Sequence, residues 1–139
     1  MNEKLMKYFN KQPRLGTLST AGKDGRVNVA YFGSPLMTDP KTVFMGLGNN
    51  RTLSNLKENP WAAYMIMEPG NTLSEWKGVR LYLKATEIET DGNKLEQIRT
   101  FIAEKAGSNA AKIIQAAVTF EIIEVRPLAD FGQGWEKSI

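Results

Sequence analysis

The 139-residue chain contains no cysteine and no histidine. The first absence removes disulfides, thiolate metal sites and cysteine nucleophiles. The second removes Ser-His-Asp catalysis and imidazole-ligated zinc or haem. No apolar run approaches the roughly 20 residues that a membrane-spanning helix needs. The opening Met1-Asn2-Glu3-Lys4 has no apolar signal segment, so a cytoplasmic protein without a membrane partner is expected. A G-x-x-x-x-G-K-[ST] phosphate loop is missing. Gly46-Leu47-Gly48 starts like a dinucleotide fingerprint, but Arg51 occupies the third glycine position, and a regular βαβ pattern is missing too. Acidic residues show no metal-ligand spacing, and the pairs Glu87/Glu89 and Glu121/Glu124 read as solvated strand faces. Catalysis would have to use carboxylates, lysine, tyrosine, hydroxyls or a borrowed cofactor.

What is present suits one globular domain over residues 1–139, long enough to bury a real core. The net charge of +3 is uneven. Residues 1–60 carry nine basic and four acidic side chains, and residues 61–139 carry nine and eleven. The basic first half suits an anionic partner such as a phosphate ligand. The lysines are too evenly spread for a nucleic-acid stripe, so no nucleic-acid partner is expected.

Periodicity and turn chemistry predict the order α-β-β-β-α-β-β-α-β. Helices are expected at 2–11, 51–59 and 94–106, with a short one at 109–116. Strands are expected at 15–20, 26–32, 42–47, 61–67, 78–90 and 117–125. Residues 33–41, with Pro35 and Pro40, read as a connection, and 126–139 as a tail. Residues 61–67 are apolar at nearly every position, which predicts burial on both faces. Hairpin-length links make the sheet mainly antiparallel, so the expected fold is a small six-stranded barrel with flanking helices.

Three segments are candidates for chemistry. At Leu47-Gly48-Asn49-Asn50-Arg51-Thr52 a strand ends, a glycine turn follows and a helix starts beside a guanidinium and a hydroxyl. Helix-start N–H groups with Arg51 and Thr52 could cradle a phosphate. An ordinary N-cap by Asn50 or Thr52, with Arg51 solvated, accounts for the same residues. Asn28-Val29-Ala30-Tyr31 could orient a planar ligand or could be a half-exposed strand. Trp61, Trp76, Trp135 and Tyr31 could stack on a ring or serve a core or interface. The tail cannot bury Trp135 by itself, so it must fold back on its own barrel or reach a neighbouring chain.

The order of these segments carries more than any one of them. Leu15-Gly16-Thr17-Leu18-Ser19-Thr20, a glycine hairpin, Val27-Asn28-Val29, Thr42-Val43-Phe44-Met45-Gly46, Asn50-Arg51-Thr52 and Asn59-Pro60-Trp61 follow one another. This succession resembles the FMN-binding split β-barrel family of pyridoxamine 5′-phosphate oxidase-like proteins, especially its small bacterial FMN-binding members. The resemblance runs from about residue 5 to 125. It implies a six-stranded antiparallel split barrel, a homodimer, and FMN in clefts between the subunits. It implies that Arg51 and Thr52 hold the FMN phosphate. Asn28, Val29, Ala30 and Tyr31 would run along the ring and ribityl chain. Gly46, Leu47 and Asn50 would form the strand end and turn beside the phosphate. From the position of the tail, and not from the resemblance, Phe131 or Trp135 is expected to close the partner subunit's cleft. A small-molecule electron donor or acceptor is implied as well. Two departures stand against pyridoxamine-phosphate oxidation itself. The second strand has no basic residue after Arg26, and the tail Arg126-Pro127-Leu128-Ala129-Asp130 lacks the family's arginine-containing substrate motif.

Overall fold

Alternation of apolar and polar residues builds the strands, and glycine turns join them. The computed structural model describes residues 3–139. Its elements are α1 (Glu3–Asn10), β1 (Leu15–Ala21), β2 (Val27–Tyr31), β3 (Leu36–Asp39), β4 (Thr42–Leu47), α2 (Arg51–Glu58), β5 (Trp61–Glu68), β6 (Lys77–Glu89), α3 (Asn93–Ala106), α4 (Ser108–Lys112) and β7 (Ala116–Pro127). Short 3-10 turns occupy Leu73–Glu75 and Trp135–Lys137. Residue 2 of the expected first helix lies outside the described residues. In the β1–β2 hairpin the positive-φ position is Gly25, at φ 82°, a conformation that favours glycine.

All seven strands form one sheet in the order β2-β1-β5-β6-β7-β4-β3. Every pairing is antiparallel. The mainly antiparallel barrel with flanking helices is therefore as expected, with one strand more than the expected six. The additional strand is β3, inside the stretch read as a connection. It pairs only with β4, and its backbone is also held by an amide: Asn10 Nδ2 donates to Met37 O at 3.0 Å, and Met37 N–H donates to Asn10 Oδ1 at 2.8 Å. A four-residue strand between two prolines has no periodicity long enough to read.

Two cores flank the sheet. The larger joins Leu5 and Phe9 of α1, Leu53 and Leu56 of α2, and the inward residues of the strands. The smaller sets Leu95, Ile98 and Ile102 of α3 with Ala111, Ile114 and Ala117, and Phe44 packs against it. Burial on both faces of β5 is corrected. Ala62, Tyr64 and Ile66 are buried, while Trp61 is exposed and Ala63 and Met65 are only half-buried. The second apolar face is only partly covered by this chain. Among the described residues, no helix is long and apolar enough to cross a membrane.

Candidate functional site

The turn after β4 is built around Asn50. Its side-chain oxygen accepts the Leu53 N–H at 2.9 Å, and its backbone carbonyl accepts the Ser54 N–H at 3.1 Å. Asn50 is thus the N-cap of α2, and the N–H groups of Arg51 and Thr52 head the helix without intrahelical partners. Arg51 is exposed and makes no ion pair among the described residues. Thr52 is 1% exposed and shares the buried side of α2 with Leu53 and Leu56. The fold therefore does not display its side chain beside Arg51 as the sequence pictured it. A cap, an unpaired guanidinium and two free N–H groups are a donor set that fits a phosphate.

β2 divides its four candidates between two faces. Asn28 and Ala30 lie opposite Thr20 and Leu18 of β1, on the face that α2 covers. Val29 and Tyr31 lie opposite Ser19 and Thr17, on the outward face, and are 64% and 63% exposed. Being an edge strand, β2 keeps one row of backbone N–H and C=O groups outside the ladder.

A cleft of about 890 Å³ opens where the ends of β2 and β4 meet the α3–α4 corner. Tyr31, Gly46 and Asn50 line it, as do Lys105, Lys112 and Ile113. It thus unites three of the ten expected site residues. Leu47 is fully buried in the main core, and its carbonyl accepts the Gln115 N–H at 2.8 Å. Arg51 and Thr52 stand just beyond the cleft's Asn50 end. Gly46 has a packing role as well: an added Cβ would lie 2.8 Å from Ile114 and 3.1 Å from Ile98.

Trp135 does not line the cleft at the turn after β4. The tail folds back on its own chain, and Trp135 packs against the main core. Lys4 Nζ donates to Glu136 O at 2.7 Å, and the Gly78 N–H donates to Ser138 O at 2.8 Å. Phe131 remains 81% exposed.

Sequence reasoning missed the lysines and Ile113 of the α3–α4 corner. A signal existed in the β4–β7 ladder, where Gly46 faces Ala117 and Leu47 faces Ala116. That pairing necessarily carries residues 113–115 to the turn after β4.

Tyr31 also lines a second cleft of about 560 Å³ with Tyr8, Lys11, Arg14 and Glu68. Burial pushes the Tyr8 hydroxyl up, and the neighbouring Glu68 adds to this. Glu68 is held below the usual carboxylate range by Tyr8 first and Lys11 second. Arg14, 8% exposed, is pushed down by burial.

The same architecture occurs in several solved structures. An FMN-binding protein from Syntrophomonas wolfei superposes with a TM-score of 0.76 at 20% identity, over 93% of this chain and 92% of that one. HutZ, the heme storage protein of Vibrio cholerae, gives 0.66 at 22% identity, over 88% and 92%. An F420 reductase gives 0.65 at 15% identity, over 86% and 94%. At such identities these likenesses establish the fold alone, and the three names mention FMN, heme and F420. No curated protein matches the chain significantly. The family described as pyridoxamine 5′-phosphate oxidase matches residues 2–129, the whole sheet and every candidate residue except Phe131 and Trp135 of the tail. With the antiparallel barrel in agreement, the chain belongs to the pyridoxamine 5′-phosphate oxidase family.

Proposed function

We propose that this protein binds FMN and has a redox role, as a homodimer with the flavin at the subunit interface. The observation that carries the reading is the turn at Asn50, where an exposed, unpaired Arg51 and the head of α2 adjoin the large cleft. Arg51 would grip the phosphate as a bidentate donor, helped by the N–H groups of Arg51 and Thr52. Asn50 fixes the start of the helix so that these donors are pre-arranged. The free edge of β2 offers backbone donors and acceptors to a planar polar ring, and Tyr31 offers an aromatic wall. When bound, the flavin supplies hydride and single-electron chemistry that the side chains of this chain lack.

The outward face supports the dimer. Leu15, Val27, Val29, Tyr31 and Trp61 are exposed on neighbouring strands β1, β2 and β5, forming an apolar surface suited to a second copy. The setting we infer is the cytoplasm, with a small-molecule electron donor or acceptor.

The test is FMN titration of the purified protein. The wild type is expected to turn yellow and to bleach on reduction. Arg51→Ala is expected to weaken binding by about 1.5–3 kcal/mol, the scale of a hydrogen bond to a charged group. Unchanged affinity would move the phosphate elsewhere, and failure to bind FMN would overturn the reading. The F420 reductase likeness favours one alternative, a deazaflavin in the same cleft. Mass spectrometry of the released cofactor decides between them. Nicotinamide-dependent turnover well above that of free FMN separates an enzyme from a carrier that merely holds the flavin. A haem reading would need an axial ligand other than imidazole, because the chain has no histidine.

A further inference from the structure

The second cleft, of about 560 Å³, lies where the end of α1 meets the start of β1 and the end of β5. It shares only Tyr31 with the large cleft. The register pairs Leu15 with Met67, which sets two apolar side chains next to each other as one wall. Three polar groups meet beside that wall. Lys11 Nζ lies 3.4 Å from Glu68 Oε2 and 5.5 Å from the centroid of the Tyr8 ring. Glu68 is close enough to Tyr8 for each to shift the other's protonation, and its carboxylate is held ionised. The Tyr8 hydroxyl oxygen is buried and has no hydrogen-bond partner of normal geometry among the described residues. A buried polar atom left so is costly, and a ligand that pairs with it recovers the cost. Arg14 also lines the cleft, but its guanidinium is taken up by the carbonyls of Phe9 and Pro35 and by the Tyr64 hydroxyl.

These charges select among ligands. A simple cation entering the cleft would meet Lys11, and a simple anion would meet Glu68. A head group that carries both signs meets each with its opposite. The Lys11–Glu68 pair is largely exposed, with 59% and 38% of the two side chains open to solvent. Such a pair contributes little, so a ligand that opens it loses little.

We propose that this second cleft binds a free α-amino acid with an apolar side chain. The ammonium takes Glu68, the carboxylate takes Lys11 and the Tyr8 hydroxyl, and the side chain lies on Leu15 and Met67. The site uses none of the phosphate donors of the flavin reading and stands without it.

The experiment is calorimetric titration of the full chain with L-leucine and L-phenylalanine. Each is compared with its amide, which lacks the carboxylate, and with its deaminated acid, which lacks the ammonium. Glycine reports what the head group does without a side chain. At least one of the two amino acids should bind ten-fold or more tightly than its own amide, its own acid and glycine. Glu68→Gln should raise that Kd at least ten-fold. Tyr8→Phe removes only the unpartnered oxygen, so it should raise the Kd at least three-fold while the thermal midpoint stays at or above that of the wild type. The control Glu104→Gln changes the net charge as Glu68→Gln does, at an exposed position on α3 outside the cleft, and should alter the Kd less than two-fold. Binding of neither amino acid, equal binding of an amide or an acid, or an unaltered Kd in either cleft variant would overturn the proposal.

Discussion

Arg14 is buried at 8% exposure and has no carboxylate partner among the described residues. Its guanidinium donates to the carbonyls of Phe9 and Pro35 and, through Nε, to the Tyr64 hydroxyl at 3.1 Å. It also lies 4.7 Å from the Phe9 ring centroid. One side chain thus ties the end of α1, the link before β3 and the middle of β5, and Tyr64 passes the bond on to Phe32 O at 2.6 Å. Arg14→Ala strands two carbonyls, and each buried unpaired acceptor costs about 1–3 kcal/mol. A loss of about 2–5 kcal/mol is expected, read from the urea unfolding midpoint, and Arg14→Lys should recover little because an ammonium cannot reproduce the fork. Gly46 makes the complementary case. Its missing side chain admits Ile98 and Ile114, so Gly46→Ala should cost about 1–3 kcal/mol by overpacking, seen as a lower thermal midpoint. Neither role was legible beforehand. A lone arginine beside a proline reads as surface, and Gly46 reads as a strand end beside a phosphate. Burial is decided by what the rest of the chain brings alongside.

At the scale of elements, the long periodic segments were legible and the short ones were not. Helix α2 stands at 51–58 against an expected 51–59, because Arg51 follows a capping asparagine and Pro60 bars continuation. Strand β3 escaped because it is only four residues long and part of its support is an amide from α1, 27 residues away in sequence. The tail was read as having two options, and it takes the first by folding back. Asp130 does much of the holding: its Oδ1 accepts from Arg126 Nη2 at 2.8 Å and lies 2.7 Å from Arg80 Nη2. Those arginines, Arg80 foremost, pull the Asp130 carboxyl below its ordinary value of 3.8. A carboxylate with a depressed pKa contributes above the unfolded value, and the contribution is lost as pH falls through the folded one. Tail anchorage should therefore be constant from neutral pH down to about 5, above which the unfolded carboxyl is also ionised, and weaken below that as the pH falls toward the depressed folded value. Asp130→Asn should loosen the tail already at neutral pH. Amide hydrogen exchange over residues 128–139 reads both, and an unchanged exchange rate in the variant would remove Asp130 from the anchor.

At the scale of the molecule, the succession of segments identified the family, whereas the faces of the sheet could not be told apart from sequence. Strand β5 is apolar from Trp61 to Met67, and alternation gives no hint of which half stays uncovered. The structure separates the halves. Inside lie Ala62, Tyr64 and Ile66, and outside lie Trp61, Ala63 and Met65, level with Leu15, Val29 and Tyr31 on the adjoining strands. A monomer would leave these side chains in water at about 25 cal/mol for each Å² of apolar area. A second copy related by a two-fold axis would cover them with the same patch on its own sheet. The protein is accordingly expected to sediment at twice its 15.5 kDa chain mass. Val29→Asp sets a charge on that face, at its β2 edge, on a side chain 64% exposed in the single chain. Folding of the chain should be nearly untouched, because the site is already open to water within one protomer. An aspartate buried against the partner's apolar patch would lose its water without a compensating charge, which costs several kcal/mol. The variant should thus sediment as a monomer with an unaltered circular dichroism spectrum. Its FMN affinity should fall with the dimer if the flavin site lies between the subunits. Retained affinity in a monomeric variant would put the flavin within one chain. A variant that stayed dimeric would assign the contact to another surface.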